Sequence, residues 1–437
     1  MGKRRVVITG LGAITPLGNN VRETWSGIIE GRSGAGRITL FDASDCPVRI
    51  AAEVKDFDPA RILGPLAGAA LPHEPSAAQA ITKESKKMGR FTQFATAAAL
   101  EAYLDAGLPA FRANAGAISP ERIGVHLSAG MGGLPEIEAV HNDFLVRGYR
   151  RITPYFITQS IPNMPSGQLS IMLDLRGPNL CTVSACASSA HGLGEAMRHI
   201  GRGDVDIVIS GGAEAVICKL GIGGFAAMRA LSARNDAPCK ASRPFDRSRD
   251  GFLMGEGAAA LVLEEYEHAR ARGAKILAEV KGYGASADAC HITAPSPGGE
   301  GGARAMKIAI QEAGINADRI GYVNAHGTAT PTGDTEEARA VAAVFPDAKK
   351  HLHISSTKSM TGHLLGGAGA LEAMLTILAM NEGIVPATIN LDDLDPDCAA
   401  TGLDFTANKP VRKNFDHAMS NSFGFGGTNA SLVFGKI

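Results

Sequence analysis

Short β-branched runs alternate with small-residue stretches of helical spacing along most of this chain. Arg5 to Thr9 reads as a buried strand, and the glycine-rich turn after it, GLGAITPLGN, leads into a helix over about Val21 to Glu30. Phe91 to Ala106 has the pattern of a small-residue helix, and Arg122 to Ala129 that of a strand ending in the flexible turn GMGG. Further strands are predicted at Asp204 to Gly211, Ala258 to Glu264 and Ile276 to Gly282, then at Ile320 to Ala325, Leu352 to Ser356, Ala418 to Ser422 and Ala430 to Phe434. The charged stretch Glu264 to Gly273 marks a midpoint and predicts a division into residues 1–270 and 271–437. Strands alternating with helices point to a buried mixed sheet in an α/β architecture. Leu63 to Ala80 shifts to Ala, Pro and Gly and is expected to be a surface loop.

One stretch carries more than packing. Leu180 to Ser184 reads as a short buried strand, and a helical pattern follows through Leu193, Met197 and Ile200, so Cys186 stands where strand turns into helix. Free backbone N–H groups and the helix dipole at such a corner lower a thiol pKa and favour a nucleophilic thiolate. A small buried packing residue is the plainer use of a cysteine there. The run is echoed by LHISSTKSMTGHLLGGAGALEAML, again apolar strand, Ser/Thr-rich turn and small-residue helix. Such an echo is what two similar halves with a site at their junction would leave.

Composition narrows the setting. With 437 residues, 45% of them hydrophobic, the chain fills a large core, which excludes a disordered or fibrous protein. A formal net charge of -1 supplies no global field towards nucleic acid or membrane, so an acidic partner must meet a local patch. Seven cysteines without CxxC pairs fit a reducing cytoplasm. The opening MGKRRVVITG has too few apolar residues for a signal segment, and no run approaches the ~18 of a membrane span.

Other corners supply chemistry. The strand through Asn324 ends at His326, and the next ends in Lys358 and His363. Either histidine alone has an ordinary structural reading, but two at C-terminal strand ends, like Cys186, stand where α/β sites gather. Zinc is disfavoured because neither has a second ligand at metal spacing. In NSFGFGGTN, residues 421–429, glycines permit a tight turn or backbone N–H groups aimed at an oxyanion. Lys83, Lys86, Lys87 and Arg90 recur on one helical face, either solvated or a docking patch for an acidic partner. GLGAITPLGN fails as a dinucleotide motif, since Thr15 stands where the third glycine belongs.

Taken in order, VSACASSAHG, VNAHGTATPTGD, SSTKSMTGHLLGGAGALE and NSFGFGGTN resemble the β-ketoacyl-acyl carrier protein synthases, most closely the condensing enzymes of bacterial type II fatty-acid synthesis. The resemblance runs over residues 3 to 437 apart from the Ala/Pro-rich segment, which is longer than the family pattern around Gly64 to Gln79. It implies a thiolase-like fold, two similar halves in a five-layered αβαβα arrangement, acting as a homodimer with acyl carrier protein as partner and no cofactor required for catalysis. It further implies Cys186 as acyl-accepting nucleophile, His326 and His363 as the pair promoting malonyl decarboxylation, Lys358 as their support, and Cys186 and Phe425 as oxyanion-hole donors. By the same resemblance Thr328 and Thr330 meet the phosphopantetheine arm, Phe425 and Met131 gate the acyl pocket, and Lys83, Lys86, Lys87 and Arg229 meet the carrier. Asn324, Glu372, Ser420 and Asn421 resemble a structural Na+ or K+ site, and equally an ordinary buried hydrogen-bond cluster. A polyketide-type ketosynthase, or a non-catalytic chain-length subunit, are the competing expectations; the second would lack the thiol.

Overall fold

The computed structural model describes residues 4–113, 118–347 and 351–437; residues 1–3, where the basic opening of the chain begins, lie outside it. Ten strands form one hydrogen-bonded ladder: β1 (Val6–Ile14), β2 (Ile123–Ser128), β3 (Asn179–Leu180), β4 (Ile207–Glu214), β5 (Gly257–Glu265), β6 (Ala278–Ala287), β7 (Ile320–Asn324), β8 (His353–Ser355), β9 (His417–Gly424) and β10 (Thr428–Gly435). Their spatial order is β8-β7-β9-β10-β6-β1-β5-β4-β2-β3. Each set of five repeats the same plan. The first strand pairs antiparallel with the fifth and the fifth with the fourth, while the fourth, second and third run parallel. The sets meet through β1 and β6, where Val7 and Ile8 pair antiparallel with Glu279 and Ala278.

The layers follow from which faces are apolar. Helix α1 (Arg90–Asp105) packs on β1 and β5 over a core that includes Phe94, Leu100 and Val262. Helices α2 (Ser188–Arg202) and α4 (Ala368–Glu382) lie between the two sets, their Leu193, Met197, Leu371 and Met374 sharing one cluster with Leu261, Ala418 and Leu432. On the far side α3 (Glu300–Ala313) covers β6 and β10. Helix, sheet, helices, sheet, helix is the five-layered α/β arrangement that the resemblance implies.

The stretch after Thr9, expected as a glycine-rich turn, instead continues β1 through Ile14, paired with β5, and its glycines have a packing role. A Cβ on Gly12 would stand 2.7 Å from the Ala102 amide of α1, so only glycine lets the alanine-rich helix seat on the strand. Gly284 of β6 repeats this against the Ala309 amide of α3, also at 2.7 Å. The echo between the Cys186 and Lys358 stretches has the same origin, because β3 and β8 hold equivalent places and each is followed by a central helix.

Two expectations are corrected. Leu63 to Ala80 is mostly a helical hairpin, Pro59–Ala70 and Ala77–Ser85, rather than a loop. Asp58 caps the first helix with Pro59 at its first position, and Leu63, Ala67, Ala70 and Ile81 bury an apolar face against the α1 core, which outweighs the breaking tendency of Pro65. Leu180 to Ser184 is not a buried strand either. Only Asn179 and Leu180 pair, at the open edge of the sheet, and Val183 is exposed, because the chain leaves the ladder there to turn into α2.

Candidate active site

Cys186 lies in a one-turn 3-10 segment, Ala185–Ala187, that opens directly into α2. Ala185 adopts a φ of 50°, a left-handed conformation that a residue with a Cβ holds only when its surroundings impose it. The turn between β9 and β10 approaches this elbow closely: a Cβ on Gly424 would lie 3.2 Å from the Cys186 amide nitrogen. The Phe425 backbone N–H that follows is directed at the sulfur.

The two histidines arrive from the other half of the fold. His326 follows β7, and its backbone N–H and that of Gly327 donate to the two carboxylate oxygens of buried Glu337, at 2.8 and 2.7 Å. His363 follows the short helix Lys358–Thr361 and is pinned by main-chain bonds, donating to Leu253 at 2.8 Å and accepting from Gly255 at 2.9 Å. The rings meet edge to face with centroids 5.3 Å apart, and Phe252 stacks edge-on to His363 at 5.4 Å. One nitrogen of each ring and the Cys186 sulfur all lie within 4.8 Å of one another. Among the described residues, neither ring nitrogen of His363 has a hydrogen-bond partner.

Lys358, 1% exposed, pairs with the carboxylate of buried Glu372 and donates to Nδ1 of His326 at 3.4 Å. Because Nδ1 accepts, the neutral ring carries its proton on Nε2. Burial and the Lys358 charge hold both imidazoles well below the ordinary value, so both are neutral near pH 7. For the thiol the expectation from the helix corner is overturned. Burial pushes Cys186 up to about 12, with Glu214 and Glu372 adding to the rise while the Lys358 charge and the Phe425 N–H oppose it. At this buried sulfur desolvation of the anion outweighs the helix end.

Cys–His–His also revises the argument about zinc, since ligand spacing along the chain could not anticipate a cluster assembled from two halves. The Lys358 ammonium against His326 now supplies the stronger objection to a dication.

A cavity of about 370 Å³ leads to this cluster, with Cys186, His326 and His363 joined in its lining by Phe225, Phe252, Thr328, Thr330, Phe423 and Phe425. Arg229 lines it too, whereas Met131 does not; its side chain is 40% exposed and its amide donates to Glu214. Lys83 and Lys86 are exposed beside a separate groove of the helical hairpin, with Lys87 half-buried against Glu84 at 2.6 Å. Arg90 leaves that face altogether, binding buried Glu256 at 2.9 and 2.7 Å. Asn324, Glu372, Ser420 and Asn421 are all buried together: Asn324 pairs with Ser420 across β7 and β9, and its side chain donates to the Glu372 carbonyl.

Three buried groups escaped the sequence reading. Glu337 orients His326. Glu214 accepts from the amides of Gly130, Met131, Gly132 and Gly366 behind the elbow, and burial pushes it up to about 7. Asp334, pushed up to about 6, holds the amides of Phe245 and Ala329. For Glu214 the available signal was an acid at the end of an apolar strand run, VISGGAE, where a buried carboxylate needs backbone donors, whereas Asp334 and Glu337 follow no such run.

A thiol and two neutral imidazoles at the junction of two matched halves, with a lysine behind them, define a carbon–carbon bond-forming class of site, and the chain belongs to the β-ketoacyl synthase family. The family's N-terminal domain (Beta-ketoacyl synthase, N-terminal domain) matches residues 3–269 and its C-terminal domain (Beta-ketoacyl synthase, C-terminal domain) residues 277–392. Within the family the chain is 48% identical to 3-oxoacyl-[acyl-carrier-protein] synthase 2 of Coxiella burnetii (strain RSA 493 / Nine Mile phase I), with all of both chains covered. A crystal structure of a β-ketoacyl synthase from Burkholderia phymatum STM815 superposes with a TM-score of 0.87 at 37% identity, covering 99% of this chain and 100% of that one. The type II polyketide assembly AntDE:AntF, an acyl-carrier protein in complex with its ketosynthase bound to the hexaketide, gives 0.85 at 29% identity, covering 100% of both chains.

Proposed function

We infer that this protein is a 3-oxoacyl-[acyl-carrier-protein] synthase that joins an acyl group held on Cys186 to malonyl-acyl carrier protein with loss of carbon dioxide. The observation that carries the reading is the sulfur lying within 4.8 Å of both imidazoles at the end of the cavity. In the first half-reaction the sulfur attacks the acyl thioester, the Cys186 and Phe425 N–H groups hold the tetrahedral oxyanion, and the thiol proton leaves with the carrier's thiol. The thiol's high pKa suits this order, because the proton departs as the carbon–sulfur bond forms.

In the second, malonyl thioester enters through the mouth bearing Thr328 and Thr330. Nε2–H of His326 and an N–H of His363 bond the thioester oxygen, where the enolate charge collects as carbon dioxide departs. Neutral donors stabilise that charge without supplying an acid strong enough to quench the carbanion. The carbanion attacks acyl-Cys186, and the intermediate expels the Cys186 thiolate, which regains a proton. The sum is acyl carrier thioester plus malonyl carrier thioester plus one proton, giving 3-oxoacyl carrier thioester, carbon dioxide and free carrier thiol.

Intact-protein mass spectrometry after exposure to acyl carrier thioesters tests this. Cys186→Ala should carry no adduct, and Cys186→Gln should release carbon dioxide from malonyl carrier without condensing; an adduct on the first, or loss of both activities in the second, discards the assignment. A non-catalytic chain-length subunit is disfavoured by the thiol itself, and the 48% identity over a full-length fatty-acid-type relative favours that pathway over a polyketide one.

Carrier protein is the partner we assign, with Arg229 at the cavity mouth and Lys83 and Lys86 as further positive positions. A homodimer is favoured by the open edge at β3, where Leu180, Val183 and Ile171 are exposed and a twofold-related copy would add an antiparallel strand. A cytoplasmic setting accords with free cysteines, and no described helix is long and apolar enough to cross a membrane. A monovalent cation fits Asn324, Glu372, Ser420 and Asn421, because Glu372 Oε2 is buried without a partner among the described residues; its part would be to hold the loops after β7 and β9.

A further inference from the structure

The two oxyanion-hole donors come from opposite halves of the fold, Cys186 N–H from the elbow before α2 and Phe425 N–H from the turn between β9 and β10. Their separation therefore depends on how those segments are tied. Ser184, two residues before the nucleophile, is the hub. Its carbonyl accepts from Thr428 Oγ1 at 3.1 Å, its amide donates to Ser188 Oγ at 2.9 Å, and its hydroxyl lies 2.7 Å from Nδ1 of His191. Nε2 of His191 in turn lies 3.3 Å from the carbonyl oxygen of Asn429.

The direction of these bonds is fixed by chemistry. A carbonyl oxygen only accepts, so Nε2 carries a proton. Burial holds the ring below its ordinary value, so it is neutral, Nδ1 accepts, and the Ser184 hydroxyl donates. His191 is thus a rigid spacer between the elbow and the Asn429 end of the turn. Its ring does not line the cavity. The left-handed Ala185 beside it is a backbone that surrounding contacts must hold in place.

We propose that His191 is a positioning residue for the oxyanion hole, setting through Ser184 and Asn429 the register between the Cys186 and Phe425 N–H donors. The proposal rests on the ketosynthase reading above, and its test separates reactions at Cys186 that create an oxyanion from one that does not. Acylation by an acyl carrier thioester passes through a tetrahedral oxyanion; alkylation by iodoacetamide is a direct displacement and needs no such hole. In His191→Leu the acylation rate should fall about tenfold to hundredfold while alkylation stays within about twofold of wild type. His191→Gln, which offers both an acceptor and a donor, should recover most of the acylation.

Decarboxylation of malonyl carrier, whose enolate faces His326 and His363, should be equal in Cys186→Gln and Cys186→Gln/His191→Leu. Equal losses of acylation and alkylation, or no loss of acylation, overturn the proposal. Should His191→Leu fail to fold, Thr428→Val cuts the second tie to Ser184 and must show the same asymmetry, and its absence refutes the idea equally. Wild-type protein that forms no adduct at Cys186 would sink the ketosynthase reading instead, so the two failures are distinguishable.

Discussion

Replacing Lys358 with Met probes the buried ion pair behind the histidines. Methionine keeps much of the stem's volume but removes the charge, leaving Glu372, 2% exposed, without its counter-ion. Stranding an ionised carboxylate in this way costs about 3 to 5 kcal/mol. The carboxylate can instead take up a proton, which makes the deficit depend on pH. Burial already pushes Glu372 up to about 7 with Lys358 beside it, and loss of the ammonium raises it further. A carboxyl whose folded pKa exceeds its unfolded one destabilises the fold progressively as pH rises from the unfolded towards the folded value, and no further beyond it. Both proteins therefore lose stability alike up to about pH 7. Above that only the variant continues to lose, at about 1.4 kcal/mol per pH unit, so between pH 7 and 9 the gap should widen by roughly 3 kcal/mol. Urea unfolding of the two proteins at those pH values, followed through the single, buried Trp25, measures the gap. Lys358→Met/Glu372→Gln removes the titrating group, so its deficit should be flat over the same range while decarboxylation stays lost, because His326 Nδ1 still lacks its donor. A gap that stays constant with pH in the single variant, or decarboxylation restored in the double, refutes the reasoning.

Cys186 alkylation should climb about tenfold per pH unit from pH 7 to 10, as expected of a thiol pushed up to about 12; a plateau near neutral pH would show that burial does not dominate. Gly12→Val should destabilise the protein by about 3 kcal/mol or more, because its side chain meets α1 backbone rather than a movable side chain, and an unchanged thermal midpoint would contradict that packing. Lys83→Glu/Lys86→Glu should raise KM for carrier-bound substrate about tenfold while leaving a small thioester surrogate unaffected, whereas equal effects on both would remove these lysines from the docking surface.

What the sequence made legible was what local pattern and motif encode. The apolar runs within Asp204 to Gly211 and Ala258 to Glu264 are legible because a strand buried on both faces is apolar throughout; β4 takes up the first from Ile207 onward and β5 covers the second. Cys186, His326, Lys358 and His363 stood out as reactive types at strand ends, and the fold gathers all four. The misreadings have tertiary causes. Leu63 to Ala80 was punctuated by Gly and Pro, yet its leucine and alanine face had a helix to bury against. The thiol's acidity was inferred from a helix start, while the burial that reverses it arises from the packing of two distant halves. Glu337 and His191 sat inside ordinary helical patterns, where nothing local distinguishes a carboxylate or imidazole that orients a neighbour from one that faces water.

The central layer has a consequence for the protein as a whole. Helix α4 is buried around almost its entire circumference, wedged between strands that precede residue 270 and strands that follow it. Released from either side, it would present bare hydrocarbon to water. A fragment bearing only the thiol, or only the imidazoles, would therefore collapse or aggregate before its chemistry could be assayed, and selection acting on such a chain must keep or discard both repeats together.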